Sequence, residues 1–275
     1  YLIACGSGTI NDLTRYLSFK LKQPYLIVAT APSMDGYASS VSPITVEGVK
    51  KTYPAAPPEA IVADLSVLQE APWKLIQAGF GDLIGKVTSL LDWKLSHIIF
   101  DEYYCPEAVA LVEGELEKLI KIGSDLKKRE QESIEILIKG LIKSGLAMLM
   151  IGKSRPASGS EHHISHFLEM YGLLYDKNIP PHGIKVALGC YFSSSFYLKL
   201  RELDFAELII CDDKQKRKAR IKNNYLDRAQ PILQNLNERW EQEKIDQELL
   251  QEKEPEIKTA IDESKNYLKK IKNHL

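Results

Sequence analysis

Cysteine is sparse in this 275-residue chain: Cys5, Cys105, Cys190 and Cys211 lie far apart, with no Cys-x-x-Cys pair. That suits free thiols in a reducing compartment better than a disulfide framework or a cysteine-based zinc site. Long apolar runs are missing too. The longest, near Leu146–Ile151, is much too short to span a bilayer. No basic segment precedes the apolar opening Tyr1–Cys5, so it does not read as a signal peptide. A surplus of either charge is also absent: 36 Lys and Arg against 37 Asp and Glu leave a net charge of −1. Such a balance supplies no global field toward nucleic acid or acidic membrane. The expectation is a soluble cytoplasmic protein without nucleic-acid or membrane partners.

The first stretch reads as alternating strand and helix. Tyr1–Cys5 is an apolar strand that stops at Gly6-Ser7-Gly8-Thr9, and a helical pattern continues through Asn11–Tyr16. Tyr25–Thr30 is a second buried-type strand, ended by Pro32, and Ile61–Ala63 is a third. That order predicts an α/β unit with a parallel sheet. Val41–Pro58 reads as a hairpin excursion. Because the chain opens inside a strand, it looks as if it begins partway through a domain. From about Ser66 only helical patterns follow: Pro72–Leu90, Pro106–Ile122, Arg129–Met150, His162–Tyr171 and Pro181–Lys199. The expected division is an α/β portion over residues 1–65 and an all-helical portion over 66–275. From about Asp212 the chain becomes a charged tail, with a basic run at Lys214–Arg220 and acidic excess over Glu238–Glu256. Leu226, Leu233, Leu236 and Trp240 recur there at helical spacing, which predicts exposed amphipathic helices interrupted by Pro255.

Several segments carry chemistry. The Gly6–Thr9 turn leaves a strand and opens a helix, where free N–H groups and the helix dipole attract phosphate. A tight turn needs glycine for structure as well, and Asn11 stands where a dinucleotide fingerprint wants its last glycine. Thr30–Gly36 is the next strand end and would face the same crevice, with Asp35 able to bond a substrate hydroxyl or to cap a turn. Gly79, Gly81 and Gly85 interrupt a helix, which requires close packing or a ligand as compensation. Asp82 and Lys86 share a helix face there, as an ion pair or as a metal carboxylate beside a lysine for an anionic substrate. Histidine is the sharper signal. Three of six fall at His162, His163 and His166, and His182 follows Pro180-Pro181. His162 and His166 lie on one helix face, a spacing that serves one metal, and a further His and Asp would complete a nitrogen and oxygen set. Arg155, in a loop of small hydroxyl residues, suits a phosphate or carboxylate.

Taken in order, Gly6–Tyr16, Thr30–Ser40, Ala55–Leu65, Gln77–Lys86, Ser154–His166 and Pro180–Gly183 resemble the sn-glycerol-1-phosphate dehydrogenases. These belong to the dehydroquinate synthase-like group, with glycerol dehydrogenases and iron-type alcohol dehydrogenases. The resemblance spans roughly residues 1 to 195. It implies a partial dinucleotide-binding α/β domain, a helical metal-binding domain and a divalent cation in the cleft between them. By match, Asp82, His162 and His182 take the ligand positions, with zinc preferred to nickel or iron. Gly6, Ser7, Gly8 and Thr9 match the pyrophosphate turn, and Thr30 and Ser33 the nicotinamide side. Asp35 matches a residue near the substrate. His166 matches an active-site histidine of the iron-type relatives. Lys86 stands where those relatives have a fourth, histidine ligand, which suits a phosphorylated substrate.

The implied activity is reduction of dihydroxyacetone phosphate by NAD(P)H to sn-glycerol 1-phosphate. Asp35, Lys86 and His166 would be the catalytic side chains, and Lys86 and Arg155 the contacts of the substrate phosphate. The resemblance also leaves room for a homo-oligomer. A related polyol or ketone dehydrogenase and a non-catalytic metal-binding remnant are the competing expectations. The family carries a further α/β half before the glycine turn, with the adenine side of the cofactor site, so the choice between NAD and NADP is not legible.

Overall fold

The computed structural model describes residues 1–46, 49–123, 125–208, 213–226, 229–230, 232–234 and 245–274. Cys211, Leu236, Trp240 and part of the acidic run lie outside the described residues.

Three strands form a parallel sheet in the order β1 (Leu2–Gly6), β2 (Tyr25–Ala29), β5 (Ala60–Val62). Helix α1 (Gly8–Leu21) crosses from β1 to β2, as a parallel pair requires. Tyr25, Ile27 and Ala29 point into the core, fully buried. Between β2 and β5 stands the expected antiparallel hairpin, β3 (Val41–Val46) with β4 (Val49–Pro54). Arg15, inside α1, is wholly buried. Its guanidinium donates to the carbonyls of Gly36 and Val41, to Asp12 and to the Tyr25 hydroxyl, and so ties the loop after β2 to α1.

Beyond β5 the described residues are helical. Asp64 caps the short α2 (Leu65–Gln69) by accepting from the Ser66 N–H at 2.9 Å. The helix expected over Pro72–Leu90 is two helices, α3 (Trp73–Ile84) and α4 (Lys86–Phe100), joined at Gly85. Helices α5 (Pro106–Ile122), α6 (Gln131–Ile151), α7 (Ser160–Leu174) and α8 (His182–Leu200) follow close to their expected bounds. The core runs between them through Trp93, Leu119, Ile134, Leu137 and Leu141.

The tail departs from expectation in part. Helix α9 (Lys214–Tyr225) buries nothing and carries the basic run on open surface. Helix α10 (Gln247–His274) continues through Pro255 and is not an exposed element. Its Ile257, Ile261, Leu268 and Ile271 are buried on the main core. Burial of that stripe outweighs the proline's penalty, which tertiary packing routinely overrides. Among the described residues no helix is long and apolar enough to cross a membrane.

Candidate functional site

The two glycines of α3, Gly79 and Gly81, are explained by packing. A Cβ on Gly79 would lie 1.8 Å from the Pro32 carbonyl oxygen, and one on Gly81 2.3 Å from that of Gly183. A Cβ on Gly183 would in turn lie 1.7 Å from the Ala78 carbonyl oxygen. Helix α3 therefore touches the loop after β2 on one side and the first turn of α8 on the other. That contact brings Asp82 of α3 beside His182 of α8. Helix α7 contributes His162 from a third direction. One ligand atom from each of Asp82, His162 and His182 falls within 4.8 Å of the other two. A carboxylate and two imidazoles at that spacing suit a divalent cation of borderline softness.

Hydrogen bonds fix this cluster. The Asp35 backbone N–H donates to Asp82 Oδ2 at 2.9 Å. His162 Nε2 lies 3.6 Å from Asp82 Oδ1. The other ring nitrogen, Nδ1, is 2.7 Å from Glu161 Oε1. Glu161 is wholly buried. It also accepts from the Gly159 N–H at 2.8 Å and the Thr88 hydroxyl at 2.7 Å. Burial works to raise its pKa, but the bonds from His162 and Thr88 and the His162 charge outweigh it and hold the carboxyl below its ordinary value. The rings of His166 and His182 stand 6.4 Å apart and those of His162 and His166 6.2 Å, so His166 borders the cluster.

Lys86 and Asp35 complete the interior. The Lys86 ammonium is fully buried and makes three bonds, to Asp35 Oδ2 at 2.7 Å, Asp82 Oδ1 at 3.0 Å and the Ala157 carbonyl at 2.8 Å. Burial disfavours its charge, yet Asp35 and Asp82 outweigh that and raise its pKa. For Asp35 burial and the neighbouring Asp82 both disfavour the charge and outweigh the Lys86 ammonium, so its pKa is raised as well. Ser144 of α6 donates to its second contact, Oδ2, at 3.0 Å. Both cations expected at a substrate phosphate are paired within the protein. All three ammonium donors of Lys86 are used inside the protein. The Arg155 guanidinium is held by Glu102, at 3.0 Å and 2.7 Å, and by Ser96.

The glycine turn lies along the same loop. Ser7 and Ser33 hydroxyls meet at 2.5 Å, and the Thr30 N–H donates to the Gly6 carbonyl at 3.1 Å. A Cβ on Gly8 would sit 3.2 Å from Met34 Cγ. Gly6, Ser7, Gly8, Thr30 and Ser33 therefore gather at the carboxyl ends of β1 and β2, with Thr9 exposed on the first turn of α1. The loop from Thr30 to Asp35 joins this edge to Asp82.

Residues 1–72 match the family model for iron-containing alcohol dehydrogenase. Glycerol-1-phosphate dehydrogenase [NAD(P)+] of Bacillus licheniformis is 42% identical over 199 residues, 72% of this chain and half of that protein. The enzyme of the same name from Pyrococcus horikoshii is 38% identical over 189 residues, 69% of this chain and 54% of its own length. Over about 70% of its length the chain is similar to these dehydrogenases, and its first 72 residues match the iron-containing alcohol dehydrogenase model. It spans about half the length of the curated relatives it matches. The fold is shared with solved dehydrogenases. A probable glycerol dehydrogenase of Sinorhizobium meliloti superposes with a TM-score of 0.59 at 18% identity, over 98% of this chain and 77% of that one. An iron-containing alcohol dehydrogenase of Thermotoga maritima does so at 0.57 and 13% identity, over 99% and 75%.

Within this iron-type framework, sequence reasoning overlooked Glu161, Thr88, Ser144, Asp92 and Arg15. Glu161 had a local signal, a carboxylate immediately before a histidine pair. Thr88, Ser144 and Asp92 act across helices and left none. Asp92 accepts from the Ser160 N–H at 2.6 Å and from the Tyr197 hydroxyl, and so anchors the start of α7. Burial and the nearby Glu161 push its carboxyl up to about 6.

Proposed function

We propose that this chain carries the metal-binding and nicotinamide-facing parts of a glycerol-1-phosphate dehydrogenase, reducing dihydroxyacetone phosphate at the expense of NAD(P)H. The observation that carries the reading is the convergence of Asp82, His162 and His182 from three helices. The names of relatives near 40% identity supply the reaction class. The working division is an α/β portion to about residue 65 that faces the nucleotide and a helical portion that holds the cation.

When bound, a divalent cation would supply Lewis acidity to the ketone oxygen and a reduced nicotinamide the hydride. Zinc is preferred over nickel and iron for two imidazoles and one carboxylate. The chain's own groups do the rest. The Gly6–Gly8 turn presents N–H groups at the start of α1 to a pyrophosphate. Ser33 and Thr30 lie on the path from that turn to Asp35. Lys86 neutralises Asp35 and Asp82 together, so that two carboxylates can be held side by side out of water. His166 borders the ligand set and is assigned to shaping the substrate cavity.

A second reading is favoured by one observation: Lys86 and Arg155 are both committed to carboxylates. An unphosphorylated ketone or polyol would need neither. Turnover of NADH and NADPH by the purified zinc-loaded chain with dihydroxyacetone phosphate and with dihydroxyacetone separates the two. Turnover of the phosphate ester alone supports the first reading. Equal or better turnover of the free ketone supports the second, and turnover of neither overturns both.

A further inference from the structure

We propose that Glu161 is a positioning residue that sets the tautomer of His162 and so makes its Nε2 available to a cation. The inference rests on the ligand reading of His162. Glu161 sits between two donors besides the imidazole, the Gly159 N–H on Oε1 and the Thr88 hydroxyl on Oε2. An ionised carboxylate only accepts, so Nδ1 at 2.7 Å must be the protonated nitrogen of His162. In the neutral ring the lone pair then lies on Nε2, which faces Asp82 Oδ1 at 3.6 Å. The Glu161 carboxylate is bonded at both oxygens. Its own backbone is pinned where α7 crosses α8, since a Cβ on Gly189 would lie 2.3 Å from the Glu161 carbonyl oxygen. The Thr88 hydroxyl oxygen also lies 3.0 Å from the Gly85 carbonyl oxygen, beside the joint between the helices that carry Asp82 and Lys86, so its one proton is shared between that carbonyl and Glu161. One buried carboxylate thus couples the orientation of His162 to the helix pair bearing the oxygen ligand, the role a carboxylate takes behind a metal-bound histidine.

The test has two independent readouts. Long-range 1H–15N correlation spectra of the metal-free chain at neutral pH report the His162 tautomer, with the signal assigned by its loss in His162→Asn. Zinc titration reports affinity. Wild type is expected to show Nδ1–H. Glu161→Ala is expected to populate Nε2–H and to weaken zinc binding about 10- to 100-fold. Glu161→Gln keeps a carbonyl acceptor for Nδ1–H and lets the amide donate to Thr88. It is expected to retain the tautomer, with affinity within several-fold of wild type. Nε2–H in the wild-type protein overturns the proposal without any variant, and so does an unchanged tautomer in folded Glu161→Ala. Loss of the wild-type tautomer in folded Glu161→Gln overturns it as well. If wild type shows Nδ1–H but binds no zinc, the ligand reading of His162 fails while Glu161's control of the ring stands.

Discussion

Lys86 and Asp82, one helical turn apart, form an ion pair at 3.0 Å with no solvent exposure on either side chain. A pair so placed is costly to break from one side, because the remaining charge has no water to turn to. Here the exposure of charge would be double, since Lys86 also serves Asp35 at 2.7 Å.

Lys86→Met should therefore destabilise the fold by about 3–5 kcal/mol, as removal of one partner of a buried pair does. Adding Asp35→Asn should restore a substantial part of that loss. Urea unfolding of the two variants against wild type checks this. A single variant as stable as wild type would contradict the internal counter-ion role.

Stability should carry a signature of Asp92. Its carboxyl is raised from 3.8 to about 6 in the folded chain, by burial first and by Glu161 second. The folded state thus holds this proton more tightly than the unfolded state. Its contribution is present in full below about pH 4 and is lost as pH rises through about 6. The midpoint of thermal unfolding should fall less steeply between pH 4 and pH 7 in Asp92→Asn than in wild type. Identical slopes would place the titration elsewhere.

The α/β beginning was readable because its strands are short apolar runs closed by glycine and proline, and their order admits few topologies. The helices after residue 66 were readable from apolar periodicity alone. Gly85 was not seen as a joint, since a glycine that breaks a helix and one that packs it look alike in one dimension. Pro255 misled for the opposite reason: local propensity argued for a stop, and the buried stripe from Ile257 to Ile271 overrode it. Within the site, spacing on one helix placed only His162 and His166 on a common face. The grouping of Asp82, His162 and His182 came from the resemblance, because it depends on how α3, α7 and α8 cross. The Asp82–Lys86 pair was legible from the i, i+4 spacing, whereas the pairings of Lys86 with Asp35 and of Arg155 with Glu102 were not, since each joins residues about fifty positions apart.

The crossing of α3 and α8 should be intolerant of a single methyl group. Gly183→Ala puts a Cβ against the Ala78 backbone carbonyl, which cannot rotate away. The helices must separate, and His182 stands at the first residue of α8. Overpacking of this kind costs about 1–3 kcal/mol. Thermal unfolding should show that loss, and zinc titration should show weaker binding than wild type. Unaltered affinity and stability together would mean that the close approach does not position His182.

The most direct test of the account is zinc binding to the purified chain, read as ions bound per chain in wild type, Asp82→Asn, His162→Ala and His182→Ala. The account predicts one ion per wild-type chain, and loss of that ion, or affinity weakened by at least about tenfold, in each variant, with the circular dichroism of the folded state retained. Wild-type protein that binds no ion, or variants that bind it as tightly as wild type, would contradict the convergence of Asp82, His162 and His182 as a metal centre.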